Sequence, residues 1–154
     1  MGENKKSKEK ICSFYASDYH FEMISLPYIE KMLEKNKNII ILTENNLEDT
    51  ANKLINRINL KKDKKEKLFK IDWNNDYENK IKKIQKNNNL IVFIKGKKDY
   101  IKNTNEKLEK IVNNKEIRII DCYNIEEVAN DYNDITKNYK KSLNTMGVKE
   151  IEKI

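Results

Sequence analysis

Short, almost unbroken apolar runs alternate along the chain with longer segments in which apolar residues recur every three or four positions. The runs fall at 11–16, 38–43, 68–72, 90–95 and 117–122, and include Ile39-Ile40-Ile41-Leu42 and Leu90-Ile91-Val92-Phe93-Ile94. Half-exposed antiparallel strands alternate apolar and polar residues, so continuous runs of this length predict strands buried on both faces. Between them the spacing predicts helices over 18–36, 47–60, 76–86, 99–112 and 125–143. The first carries Phe21, Ile24, Tyr28 and Met32 on one stripe. Pro27 should kink or restart it, because proline removes a backbone donor and crowds the preceding turn. Asn46 is the expected N-cap of the second helix, with Glu48 and Asp49 in its first turn. The pattern predicts one α/β domain over 1–154: a five-stranded, mainly parallel sheet with helices on both faces, a three-layer α/β/α arrangement. Residues 1–9 read as a disordered basic tail and 61–67 as a solvated loop.

Composition narrows the class. The 154 residues are 38% hydrophobic and 37% charged, with a net charge of +7. Nearly all the positive charge is lysine, and Arg57 and Arg118 are the arginines. Arginine supplies the bidentate fork that reads guanine and phosphate, so this lysine bias, shared with Asn and Ile, points to base composition rather than to specific nucleic-acid binding. Cys12 and Cys122 each sit inside an expected strand, as small buried thiols do. No signal peptide and no run of the length needed to span a bilayer is visible, so a cytoplasmic protein without membrane attachment is expected.

In open α/β sheets ligands gather beyond the carboxyl ends of the strands. The expected loops there hold Ser17, Asp18 and His20, then Glu44 and Asn45, then Asp72 and Trp73, then Gly96-Lys97, and finally Tyr123 and Asn124. A phosphate loop needs glycines that let backbone N–H groups approach the phosphates, a lysine, and a Ser/Thr for the metal. The first turn reads Phe14-Tyr15-Ala16-Ser17-Asp18-Tyr19-His20, with no glycine and with a carboxylate that repels phosphate. With one histidine and strand-bound cysteines, nucleophilic catalysis has little to work with. Magnesium could be held only if Asp18, Glu44, Asp72 and Asp121 converge.

Ile11-Cys12-Ser13-Phe14-Tyr15-Ala16-Ser17, the helix containing Leu26-Pro27-Tyr28-Ile29, and Ile39-Ile40-Ile41-Leu42 together resemble the opening of the methanogen/methylotroph sensory (MEDS) domain family. The likeness covers about the first third of the chain, and Lys10 stands where that family usually has histidine. The resemblance implies a RecA-like or related Rossmann-like fold whose phosphate loop has degenerated, used as a sensory module. Hydrocarbon derivatives are the ligands proposed in that family. The expectation is therefore a non-catalytic, cofactor-free sensing domain, with Tyr15, Ser17, Asp18, His20, Glu44, Asn45, Asp72 and Trp73 binding a small organic ligand or a regulatory partner protein. An interaction or accessory module without a small ligand, a homodimer included, is the alternative. Behind it stands a magnesium-dependent phosphotransferase or nuclease-like enzyme.

Overall fold

The computed structural model describes residues 8–151. The elements run β1 (Lys8–Tyr15), α1 (Asp18–Glu34), β2 (Asn38–Thr43), α2 (Glu48–Arg57), α3 (Lys62–Phe69), α4 (Tyr77–Lys86), β3 (Leu90–Gly96), α5 (Lys98–Ile111) and β4 (Ile117–Asn124). Then follow α6 (Ile125–Val128), a 3-10 turn (Ala129–Asp131), α7 (Tyr132–Thr136), β5 (Lys141–Asn144) and β6 (Gly147–Glu150). One six-stranded sheet has the order β2-β3-β4-β1-β5-β6, parallel throughout except for the β5–β6 hairpin.

Alternate residues of the strands feed two separate cores, because successive side chains point to opposite faces. On one face Ile11, Ile41, Phe93 and Ile120 meet Phe21 and Ile29 of α1, Ile55 of α2 and Leu68 of α3. On the other, Leu42, Val92, Ile94 and Ile119 meet Ile84 of α4, Leu108 of α5 and Val128 of α6. β3 is buried at every residue, which is why its sequence shows no alternation. With three glycines in the chain, asparagine takes several left-handed positions: Asn36, Asn89 and Asn114 have φ of 60°, 58° and 66°. Its short side chain tolerates that region better than most.

The sheet departs from expectation in two places. Segment 68–72 is not a strand, and 61–67 is not a loop. Lys62–Phe69 is helix α3, and the chain then passes round the open edge of β2 to reach α4 on the opposite face. A five-residue apolar run does not by itself distinguish a strand from the end of a helix, and here Leu68 is the helix residue that enters the core while Phe69 is left largely exposed. The expected helix over 125–143 breaks after α7. Its last residues begin β5, where Ser142 pairs with Cys12, and Gly147 at φ 102° starts β6. Tyr139 and Leu143 lie in opposite cores, which one face of a single helix could not arrange. The sheet thus has six strands, not five. Lys8 and Glu9, expected in the basic tail, pair with β4, and the remainder of that expected tail, residues 1–7, lies outside the described residues.

Pro27 lies within α1, which runs unbroken to Glu34. It sits on the exposed face, as does Met23, so the carbonyl that proline leaves without a donor can be hydrated.

Candidate functional site

β1 ends in Tyr15, and the chain turns through Ala16 and Ser17 into α1. This bend satisfies its own donors. Ser17, at extended φ and ψ, is the N-cap, and its Oγ accepts from His20 N at 3.1 Å. His20 Nδ1 in turn accepts the Ala16 backbone N–H at 2.8 Å. A phosphate would find two of these N–H groups already engaged by side chains.

Asp18, one residue into the helix, faces Lys95 near the end of β3. Asp18 Oδ1 lies 2.9 Å from Lys95 Nζ. Asn45, just past β2, bridges the two: its Nδ2 donates to Asp18 Oδ2 at 2.9 Å, and its Oδ1 accepts from Lys95 Nζ at 2.9 Å. Asn45 is positioned by Thr43, whose Oγ1 donates to the Asn45 carbonyl at 2.8 Å. The Lys95 side chain is only 3% exposed, whereas that of Asp18 is 39% exposed. The ammonium also stands 4.7 Å above the ring of Tyr15 and 5.6 Å from the ring of Phe21. Aromatic faces favour a cation at such distances. Burial, with Asp18 and Glu44 among the neighbouring acids, raises the Tyr15 pKa above its ordinary value, so its ring is a neutral platform at physiological pH.

A second contact closes the same edge. Glu44 Oε1 accepts the Lys97 backbone N–H at 2.8 Å. Gly96 makes this approach fit, since a Cβ there would lie 2.6 Å from Glu44 Oε1 and 2.7 Å from Tyr100 Cδ2. Gly96-Lys97, expected as a strand-end loop, is a packed joint between the ends of β2 and β3.

Of the expected site residues, the structure brings together Tyr15, Asp18 and Asn45 around Lys95, with Ser17 and His20 shaping the bend and Glu44 alongside. Asp72 and Trp73 belong elsewhere, because the segment carrying them is a crossover rather than a strand end. Asp72 pairs with Lys83 of α4. Trp73 is 2% exposed in the α1–α3 core, where its Nε1 donates to the Leu68 carbonyl at 3.1 Å. Asp121 also stands apart. It is fully buried in the opposite core, accepting from Tyr139 OH at 2.6 Å and from Asn105 Nδ2 at 2.9 Å. Burial raises its pKa against the pull of Lys10 and these donors. The four carboxylates weighed as a magnesium site are thus dispersed. Among the described residues, no group of three or more His, Cys, Asp or Glu is placed to hold a metal ion.

Sequence reasoning missed Lys95 of this cluster, and also Glu22, a carboxylate of α1 buried outside it with Thr50 Oγ1 on its Oε2. A lysine ending a run buried at every other position was the available signal for the first. For the second it was a carboxylate four residues before Leu26 and seven before Ile29, on a face with two apolar residues. Five clefts of 200–440 Å³ open elsewhere on the described residues, and none is lined by Tyr15, Asp18, Asn45 or Lys95. No described helix is long and apolar enough to cross a membrane.

Compared with protein-family models, curated proteins and solved structures, the chain matches none.

Proposed function

We propose that the chain is a non-catalytic sensing module, a RecA-like domain with a degenerate phosphate loop that binds a small organic anion where β1, β2 and β3 end. One observation carries this reading. Where a phosphate loop would hold a nucleotide's negative charge, this bend encloses a cation of the protein's own, Lys95, held by Asp18 and Asn45. The placement of β1 between β4 and β5, with β2 at the edge, also supports the RecA-like reading. The resemblance of residues 11–42 to the sensory family points the same way.

The cluster has the makings of a switch. A ligand carboxylate that competes for Lys95 must displace Asp18 or Asn45, and Asp18 belongs to the first turn of α1. Binding would then loosen one end of a helix that covers much of one sheet face, and a partner could read that change. A charged anion suits the site better than an uncharged ligand, because Lys95 offers a full charge in a setting largely shielded from water.

Calorimetric titration with magnesium-ATP and with a panel of small carboxylates tests the reading. The expected result is no binding or turnover of magnesium-ATP, binding of at least one carboxylate, and loss of that binding in Lys95→Met. Hydrolysis of ATP, or carboxylate binding that Lys95→Met leaves unchanged, would overturn it.

A further inference from the structure

The face of α1 that carries Glu22, Leu26 and Glu30 lies against α2, whose Thr50 and Leu54, with the C-cap residue Ile58, follow the same four-residue spacing. Between them runs a cleft of about 200 Å³, with Leu26, Leu54, Ile58 and Leu60 among its lining residues and Met23 and Pro27 at its exposed side. Glu22 also lines it. The residue is 0% exposed, and its Oε1 has no hydrogen-bond partner.

That orphan oxygen persists in either protonation state. With Glu22 ionised, Thr50 Oγ1 donates to Oε2 at 2.5 Å and nothing reaches Oε1. With the proton on Oε2, Glu22 donates to Thr50, and the threonine hydroxyl can turn to the Leu47 carbonyl at 3.4 Å. Oε1 is an unfilled acceptor in both cases. Buried acceptors of this kind are rare and costly, and each asks for an explanation. Lys95, the nearby cation, is already engaged by Asp18 and Asn45.

We propose that this cleft is a binding site for a small aliphatic primary amine, whose ammonium donates to Glu22 Oε1 while its alkyl chain lies along Leu26, Leu54 and Ile58. The volume is below that of sites for drug-sized ligands, so a short chain fits. An ammonium is preferred over a hydroxyl because it adds the attraction of a full opposite charge to its hydrogen bond with the carboxylate. Glu30 also lines the cleft, but Lys64 Nζ already holds it at 3.1 Å, so the preference for a cation over a fatty acid rests on Glu22. This site is separate from the strand-end cluster and does not require that cluster to bind anything.

Titration of the full chain with hexylamine, hexan-1-ol and hexanoate, followed by calorimetry and by amide NMR shifts, tests the proposal. Hexylamine should bind at least about tenfold more tightly than hexanol, and hexanoate should not bind. The shifts should centre on Leu26, Leu54 and Ile58. Glu22→Met should weaken hexylamine by about tenfold or more while leaving the fold intact. Leu54→Trp, which narrows the cleft and leaves the Glu22 carboxylate in the chain, should abolish binding as well. Equal affinity for hexylamine and hexanol, or retention of hexylamine binding in Glu22→Met, would overturn the proposal. So would tighter binding of a lysine-bearing peptide than of the free amine, since the ammonium would then belong to a partner protein.

Discussion

Replacing Asp18 by asparagine keeps an oxygen where Lys95 needs an acceptor but removes the charge opposite a buried ammonium. Breaking a buried ion pair from one side costs about 3–5 kcal/mol, because the remaining charge is stranded. Asp18 is 39% exposed, so solvent already screens part of its field and the cost falls to about 2–3 kcal/mol. Loss of an acidic residue from the first turn of α1 has the same sign and is included in that range. In a chain of this size each kcal/mol moves the melting midpoint by about 2–4 °C, so Asp18→Asn should melt about 4–12 °C below wild type. The opposite truncation is not equivalent. Lys95→Met leaves a carboxylate that can rehydrate, still receives a hydrogen bond from Asn45, and still sits at a helix N-terminus. Methionine can also fill the space against Tyr15 and Phe21, so the expected cost is about 0–1 kcal/mol. The double variant should lie only about 0.3–1 kcal/mol below Lys95→Met, the helix-terminus contribution of Asp18, leaving a coupling of about 2 kcal/mol in a double-mutant cycle. Urea unfolding of the four proteins at neutral pH measures all of these quantities. If Lys95→Met is as damaging as Asp18→Asn, or if the two effects simply add, Lys95 is not the stranded charge described here.

Two further outcomes follow from other buried groups. Lys80 is 2% exposed and donates to the carbonyls of Ile41, at 2.6 Å, and Asn74, and burial pushes its pKa down from 10.5 to about 8. Between those two values the unfolded chain holds a proton that the folded chain has released, so stability rises with pH. Wild type should therefore gain about 1–2 kcal/mol relative to Lys80→Met between about pH 7.5 and 9.5, read from urea midpoints, and a pH-independent difference would contradict the assignment. Trp73, the single tryptophan, should fluoresce as a buried indole that acrylamide quenches poorly, and Trp73→Ala should cost about 3–5 kcal/mol. Quenching of its emission by a strand-end ligand would show instead that Trp73 touches that ligand.

The parallel core was legible because strands covered on both faces must be apolar at nearly every position, and Leu90–Gly96 is the clearest case. The errors lie where a short apolar run is ambiguous. Leu68-Phe69-Lys70-Ile71 suits the end of a helix as well as a strand, and only the two-sided core decides, by drawing in Leu68 and Trp73 from one side of the crossover. The hairpin of β5 and β6 was hidden because Val128, Tyr132, Ile135 and Tyr139 continue a helical spacing to the edge of β5. Leu143 extends that spacing in sequence, but it is buried in the other core. The same physics governs what could be seen of the site. A loop chosen for being polar and near a strand end yielded Asp18 and Asn45, because such residues stay at the surface. Lys95 and Glu22 were overlooked because a charge inside an apolar pattern resembles an interruption of that pattern. In a folded core such an interruption costs stability unless something answers it. Asp18 and Asn45 answer Lys95, and among the described residues nothing answers Glu22 Oε1. In a chain so rich in lysine, charge on the surface carries little information. The charges that the hydrophobic pattern encloses carry most of it, and they are the positions at which a ligand has something to gain.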